Sequence, residues 1–251
     1  MAAARAVWKG AIKTGDLSFG IALYTAASNS ERIAFHILNR KTGHRVHREF
    51  VDAETGKPVP HEDQIKGYET GGGDYIPFEP DEITKAVPEA DKTLTVQAFI
   101  GCDDVDDVYF DRPYYLAPAS EADREGFLAL RDAMRARSVA VIARTVLFRR
   151  VRSVLIRPHE AGLVGTTLNF DYEVRSSDEA FADLPASKID KDMLDLALHI
   201  IGTKKGRFQP EKFDDRYEAA VVELVKAKME GRKITPPKPP TPTKPSDLME
   251  A

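Results

Sequence analysis

The strongest constraint on the fold is a series of apolar-polar alternations that follow one another without regularly spaced helices between them. Residues 17–25 show the pattern most clearly. The side chains on one face there are Leu17, Phe19, Ile21 and Leu23. Consecutive strands pair as antiparallel neighbours, whereas a parallel pair needs a long crossover connection. The sequence therefore predicts an α+β protein built around an antiparallel β-barrel or sandwich.

Turn residues and helix caps set the expected element boundaries. The strands are predicted at residues 5–12, 17–25, 93–99, 105–110, 139–148, 153–157 and 163–174. Helices are predicted near Asp81, from Ser120 onwards, and at residues 190–201 and 211–230. The expected domain covers residues 1–231 and includes a helical segment at about 187–231. A tail at 232–251 follows, and its prolines favour an extended spacer.

Residues 32–66 form a segment that would be polar on both faces of a strand. Turn signals at 39–43 and 54–60 predict two long strands joined by tight turns. Such a pair cannot bury a face, so we expect it to stand away from the core as an arm, at about 32–75, that meets solvent or a partner. Ten residues of strand reach about 33 Å, enough to cross a nucleic-acid duplex.

Charge is sorted into blocks along the chain. The net charge of −4 argues at first against a nucleic-acid partner, but residues 1–60 carry +4, 61–125 carry −12 and 126–160 carry +6. All basic residues of the last of these blocks are arginines, which are suited to phosphate. The pattern indicates a fold with one positive face or channel and a negative exterior. The alternative is that the blocks are solvated faces without a partner.

Catalytic and metal-binding patterns are weak. His44 and His47 point to opposite faces of a strand and lack further ligands, so we expect no metal there. Gly71-Gly72-Gly73 has no phosphate-loop ending and is expected to be a turn. With no nucleophile, base or metal set, we expect no enzyme activity and no cofactor. The single Cys102 excludes an internal disulfide, and no signal peptide is visible, so a cytoplasmic location is expected.

Four segments carry a family resemblance, and they occur in family order over nearly the whole chain up to residue 231. They are RAVWKGAIKTGDLSFGIALYTA, IKGYETGGGDYIPFEPDEI, FDRPYYLAP and FQPEKFDDRYEAAVVELVKAKMEG. Together they resemble the prokaryotic Ku family of DNA-end-binding proteins.

The resemblance implies a homodimer whose two β-barrel cores and strand arms close into a ring around a double-stranded DNA end. It also implies recruitment of an ATP-dependent DNA ligase for non-homologous end joining, in a cytoplasmic, nucleoid-associated protein. Contacts would go to phosphates and not to bases, so binding would be independent of sequence. The arm and the second basic block supply the predicted DNA-binding residues. These are Arg40, Lys41, Arg45, Arg48, Lys57, Lys66, Arg137, Arg149, Arg150 and Arg152.

The chain departs from the family in two places. Many members carry a cysteine pair in the arm, near residues 51–58 here, and many end in a lysine-rich tail; this chain has neither. Residues 247–251 resemble the beginning of the family's C-terminal region, which is associated with ligase contact. Two hypotheses therefore stay open: a DNA-end clamp, and a protein-interaction scaffold with weak or lost DNA binding.

Overall fold

A computed structural model describes residues 5–28, 30, 32–86, 92–184 and 189–232. Its strands are β1 Trp8–Thr14, β2 Leu17–Thr25, β3 Lys66–Glu69, β4 Tyr75–Phe78, β5 Thr93–Gly101, β6 Phe110–Pro118, β7 Val139–Leu147, β8 Arg150–His159 and β9 Gly162–Leu168. Its α-helices are α1 Pro80–Ala86, α2 Arg124–Arg137, α3 Ser177–Ala180, α4 Lys191–Lys204 and α5 Arg216–Met229. The chain divides into two compact units. The first is Met1–Ser28 with His47–Pro185, and the second is Asn29–Val46 with Ala186–Ala251.

A closed seven-stranded barrel forms the body of the first unit. Its strand order is β1-β2-β6-β9-β8-β7-β5, and β5 returns to β1 to close the ring. Every neighbouring pair is antiparallel except β1 and β5, which are parallel. The prediction of an α+β protein around an antiparallel barrel is therefore confirmed, with one parallel pair at the closure.

Three of the four alternating side chains identified in residues 17–25, Phe19, Ile21 and Leu23, are buried in the core of this barrel, whereas Leu17 is 40% exposed. Ile12, Ile21, Leu94, Val141 and Ile156 are all buried in one cluster. Helix α2 adds to that cluster with the apolar stripe that its sequence predicts. The stripe consists of Phe127, Leu130 and Met134. The ring of Phe127 meets that of Phe19 edge-on at 6.4 Å, so the helix is anchored to β2 by core packing.

A second apolar cluster lies on the outer face of the barrel. Leu155 of β8 and Leu168 of β9 are covered there by Cys102 and Tyr109, from the connection between β5 and β6. A strand was predicted at 105–110, but that prediction was wrong for most of its length. Asp106 accepts a hydrogen bond from the Val108 amide, which begins a 3-10 helix at Asp107–Tyr109.

The arm segment contains turns and not the two long strands that were predicted. In the second unit Leu38 pairs with Arg45 across one turn, and in the first unit Val51 pairs with Pro58 across another. Each is an isolated bridge. The segment is less polar than predicted, since it carries exposed apolar side chains such as Ile37, at 64% exposed, and Phe50, at 70%. Because these side chains are not buried among the described residues and the turns satisfy their own backbone groups, the bridges do not extend into a ladder. A short hairpin of β3 and β4 follows.

The strand predicted at 163–174 ends earlier, at Leu168. The amide of Phe170 donates to the carboxylate of Glu173 at 2.9 Å, and a 3-10 helix occupies Asp171–Glu173. This local hydrogen bond replaces the ladder that the alternating pattern favoured.

Helices α4 and α5 belong to the second unit. Asp190 and Asp215 cap their N-termini by accepting hydrogen bonds from the amides of Asp192 and Glu218. The Glu218 carboxylate also accepts a hydrogen bond from the Ile33 amide at 2.6 Å. Among the described residues, no helix combines the length and apolar character that crossing a membrane requires. The proline-rich segment lies outside the described residues.

Candidate nucleic-acid interface

A row of polar side chains crosses the barrel at right angles to its strands. Lys13 of β1 is paired with Ser18 of β2 on one side and with Thr95 of β5 on the other. Thr95 is paired with Arg144 of β7, and Arg144 with Ser153 of β8. Paired residues of neighbouring strands share one face of a sheet. The five side chains therefore form one continuous row.

This row lies on the outside of the barrel, as strand alternation requires. The sequence neighbours Ile12, Leu94 and Ala143 are buried in the core, so Lys13 and Arg144 point the other way. Both basic side chains are exposed. Neighbouring strands lie about 4.8 Å apart, so the backbones at Lys13 and Arg144 are separated by about 10 Å. The row presents two cations and three hydroxyl groups to solvent, with no carboxylate among its five members.

The hairpin between β7 and β8 presents further basic residues. Its two turn residues, Phe148 and Arg149, have φ values of +52° and +67°. Two successive positive φ values are typical of a tight type I′ turn, which usually carries Asn and Gly. Left-handed backbone costs other residues about 1–2 kcal/mol each. The turn therefore holds a phenylalanine and an arginine at its tip in spite of their conformational cost.

Arg150 and Arg152 extend from the core side of the same hairpin, beyond the end of the packed core. Their cross-strand partners are Leu147 and Thr145, both buried. Burial raises the pKa of the nearby Tyr114 hydroxyl, and the positive charge of Arg152 opposes that shift. The Phe148 ring lies 6.5 Å from that of Tyr114. Arg150 and Arg152 thus border an aromatic rim at this end of the barrel.

Several arginines of the basic block are occupied within the protein. Arg131 donates to the Ala161 carbonyl at 2.6 Å and pairs with Asp132, and Arg135 donates to the Glu160 carbonyl. These contacts tie α2 to the turn between β8 and β9. Five other arginines of the block form no hydrogen bond, ion pair or ring contact with the residues that the structure describes. They are Arg137, Arg144, Arg149, Arg150 and Arg152.

The structure separates Arg137 from the three predicted DNA-binding residues of the hairpin. Arg137 ends α2, just before the first residue of β7, whereas Arg149 follows the last. The nine residues of β7 span about 26 Å. The first unit therefore brings Arg149, Arg150 and Arg152 together at one end of the barrel and places Arg137 at the other.

The second arm turn, between the paired residues Val51 and Pro58, belongs to the first unit and contains one of the predicted DNA-binding residues, Lys57. Asp52 accepts hydrogen bonds from the amide and the hydroxyl of Thr55, at 2.7 and 2.8 Å, and its pKa is lowered as a result. Gly56 supplies a positive φ of +66° before Lys57. Arg48, Lys57 and Lys66 are all exposed.

The first arm turn belongs to the second unit. Gly43 has a φ of +73° and donates its amide to the Asn39 carbonyl at 2.8 Å. The Asn39 side chain accepts from the Lys41 amide at 2.9 Å. Arg40, Lys41 and Arg45 project from this turn and are exposed.

Lys13 and Arg144 were not among the predicted site residues. The alternation of residues 139–147 could have shown that Arg144 lies on the face opposite to the buried Val141 and Ala143. Only the register across β1, β5 and β7 shows that Arg144 lies in one row with Lys13. No cluster of three or more metal-ligating side chains is found in the part of the chain that the structure describes.

The fold and this surface define a class of protein: a closed β-barrel that presents cations on its outer face and at one end, without ion pairs to the residues that the structure describes. Residues 13–196 match the family profile of the Ku70/Ku80 beta-barrel domain. The chain belongs to the Ku family, which confirms the resemblance seen in its sequence.

Relatives with the name "Non-homologous end joining protein Ku" match almost the full chain. The protein of Cereibacter sphaeroides is 57% identical over 98% of this chain and 93% of its own length. The Bradyrhizobium protein is 40% identical over 94% of this chain and 81% of its own. For the Coxiella burnetii protein the values are 34%, 90% and 83%.

Proposed function

We propose that this protein binds the ends of double-stranded DNA, independently of sequence, in non-homologous end joining. The relatives that share its whole barrel carry the name of that process. The observation that carries the proposal is a group of arginines that form no hydrogen bond and no ion pair with any described residue: Arg144 on the outer face, and Arg149, Arg150 and Arg152 at the hairpin.

The chemistry of these groups suits phosphate. A guanidinium group donates two parallel hydrogen bonds to phosphate oxygens, and its charge is retained at any physiological pH. Arg149 and Arg150 are exposed, so they can reach a backbone without a change in the barrel core. Phosphate contacts carry no base information, so affinity should fall steeply with salt and vary little with sequence.

A homodimer is part of the proposal. Helix α4 carries an apolar stripe at i, i+4 and i+7, formed by Leu194, Leu198 and Ile201, whose exposed fractions are 47%, 56% and 63%. Within one copy, the described residues leave this stripe exposed. A second copy with the same stripe would cover it in a twofold interface, as a ring of two subunits requires.

Recruitment of an ATP-dependent DNA ligase is the last part of the proposal, and it rests on family membership alone. The test measures the rate at which such a ligase joins the ends of linear DNA. Joining should rise when this protein is present and should return to the basal rate when end binding is removed by mutation.

The decisive experiment compares linear DNA with a covalently closed circle of the same sequence in a gel-shift assay. A ring threaded by a duplex end binds the linear form only, and becomes trapped if the linear form is closed by ligation after binding. Equal affinity for the two forms would contradict the proposal.

Reversal of Arg45, Arg48, Arg149 and Arg150 to glutamate should abolish end binding. Binding that survives all four changes would favour the alternative, a protein-interaction scaffold.

A further inference from the structure

The tip of the β7–β8 hairpin combines an unfavourable backbone with an exposed aromatic ring. Phe148 and Arg149 follow one another at φ values of +52° and +67°, and Leu147 pairs with Arg150 across the turn. Glycine and asparagine adopt positive φ values readily, whereas larger side chains clash with the backbone there. The two residues therefore occupy the tip against the conformational preference of the turn.

Two other hairpins of the barrel accommodate a positive φ differently. The β1–β2 turn has Gly15 at +55°, where no side chain is strained. The β8–β9 turn has Glu160 at +43°, and the Glu160 carbonyl accepts a hydrogen bond from the Arg135 side chain, which ties that turn to α2. Phe148 and Arg149 have neither the freedom of glycine nor such a tie to α2. Strain of this kind is concentrated at functional sites, so the outlier itself indicates a role for the tip.

The Phe148 ring is supported from inside the barrel but is not buried there. Its centroid lies 6.5 Å from that of Tyr114, and the two rings are inclined by 36°. Tyr114 is only 5% exposed, whereas the described residues leave Phe148 63% exposed. A phenylalanine stabilises a fold by the surface that it removes from water, so Phe148 contributes little in this way. Packing alone therefore does not explain a strained phenylalanine at this position.

Cations flank the exposed ring. Arg149 follows Phe148 directly and Arg150 begins β8, and both side chains are exposed. Single-stranded nucleic acid is bound by this combination, in which cations hold the phosphates and aromatic rings stack on the bases. A base within a duplex is covered by its neighbours on both faces. An exposed ring can therefore stack only on a base with an open face, such as an unpaired base at a terminus.

We propose that Phe148 stacks on an unpaired base of a single-stranded tail at a DNA end, while Arg149 and Arg150 bind the phosphates beside that base. This role rests on the proposed binding of DNA ends, because the same arginines are assigned there to duplex phosphates. It adds a preference among ends, since a tail that carries bases offers a contact that a blunt end does not.

Three labelled duplexes test the role of the ring. One is blunt, one has a short deoxyadenosine tail, and one has a tail of the same length built from abasic nucleotides. The two tails carry equal charge and differ only in their bases. Fluorescence anisotropy of the full-length protein should show that the deoxyadenosine tail is bound about tenfold more tightly than the abasic tail.

Substitutions at Phe148 separate stacking from packing. Phe148→Leu keeps an apolar side chain beside Tyr114 but removes the ring, so it should abolish the preference for the deoxyadenosine tail. Phe148→Tyr keeps the ring and should keep the preference. Phe181→Leu is the matched control, because Phe181 is 62% exposed and follows the acidic Asp178 and Glu179, which repel phosphates. Unaltered thermal unfolding midpoints show that the variants are folded. Phe148→Asn suits the positive φ and provides a second variant without the ring if Phe148→Leu is unstable.

The salt dependence distinguishes the ring from the cations beside it. Phe148→Leu should leave the slope of log affinity against log salt unchanged, whereas Arg149→Ala should lower it by about 1. Equal affinity of the unaltered protein for the two tails, or a preference that persists in both Phe148→Leu and Phe148→Asn, would overturn the proposal.

The blunt duplex reports separately on the proposed end binding. If the unaltered protein does not bind it, end binding fails. The stacking role is then decided with a single-stranded deoxyadenosine oligonucleotide and an abasic oligonucleotide of the same length. A preference for the first that is lost in Phe148→Leu would support stacking, and equal affinity for the two would overturn it.

Discussion

Lys13 and Arg144 lie in the same cross-strand row on the outer face of the barrel, with only Thr95 between them. They come from β1 and β7, which are far apart in the sequence and become near neighbours because β5 pairs with both strands. The parallel contact of β1 with β5 closes the barrel. The closure of the fold is thus also what assembles this part of its cationic surface.

Reversal of both charges, Lys13→Glu with Arg144→Glu, should weaken binding of linear duplex by at least about tenfold for each charge. The slope of log affinity against log salt should fall by about 2, because two phosphates would no longer be neutralised by the protein. Fluorescence anisotropy at several salt concentrations measures both quantities. Arg124→Glu is a suitable control, since Arg124 is exposed at the N-terminus of α2, where an acidic residue is tolerated.

An unchanged salt slope in the double variant, with full affinity, would show that the outer row does not face DNA. The interactions with DNA would then be confined to the hairpin and the arm. A weaker affinity in Arg124→Glu as well would indicate a general effect of net charge.

The tip of the β7–β8 hairpin allows strain and charge to be separated at one residue. Arg149 has a φ of +67°. Arg149→Gly removes the guanidinium and the strain, whereas Arg149→Ala removes only the guanidinium. We expect the glycine variant to be more stable than the alanine variant by about 1 kcal/mol, which raises its thermal midpoint by roughly 2–4 °C. DNA affinity should fall by the same factor in both variants.

Calorimetry or thermal scanning measures the first difference, and gel shifts measure the second. If the glycine variant keeps the affinity of the unaltered protein, the arginine at the tip does not bind phosphate. If the two variants are equally stable, the turn is free of strain.

The barrel could be predicted because its strands carry their own signals. Clean alternation marks 17–25, and Gly15 supplies the positive φ of +55° that the turn before it needs. The arm shows where such signals fail. Turn residues around Gly43 and Gly56 were recognised, but turns alone do not make strands when neither face can be buried. The residues 170–174 kept the alternation of a strand, yet one hydrogen bond from the Phe170 amide to the Glu173 side chain ended it.

The candidate site was predictable only in part. Exposure of Arg149 and Arg150 follows from a turn flanked by two strands, and both were predicted. Arg131 and Arg135 belong to the same arginine-rich block of the sequence. Their side chains, however, donate hydrogen bonds to backbone carbonyls of the turn between β8 and β9. Which arginine is free and which is occupied depends on contacts between residues distant in sequence, and a single sequence does not encode these in any local pattern.

Helix α4 offers a test of the proposed dimer. Leu198→Glu should disrupt association, because a buried leucine contributes about 2 kcal/mol and a twofold interface contains it twice. The dissociation constant of the dimer should rise by roughly a thousandfold. Analytical ultracentrifugation measures it, with Asp195→Asn on the same helix as the control. A dimer that persists in Leu198→Glu would show that another surface joins the two copies.

The carboxylate of Asp123 ties β2 to the segment before α2, and it makes stability dependent on pH. It accepts hydrogen bonds from the Ser120 hydroxyl and from the Gly20 amide, both at 2.6 Å. The Ser120 side chain, followed by the Gly20 amide, lowers the pKa of Asp123 in the folded state. The stabilising contribution of a carboxylate with a lowered pKa is complete above its unfolded pKa of about 4 and disappears as the pH falls through the folded value.

Asp123→Asn should therefore lower the unfolding midpoint at about pH 7, and its difference from the unaltered protein should shrink towards about pH 3. Urea titrations at a series of pH values measure the effect, with Asp16→Asn at the exposed β1–β2 turn as the control. A difference of the same size at neutral and at acidic pH would mean that the destabilisation comes from altered packing beside Gly20 and not from the charge. Since Gly20 has no room for a Cβ, which would lie 2.7 Å from an Asp123 oxygen, Gly20→Ala should destabilise the protein at both pH values.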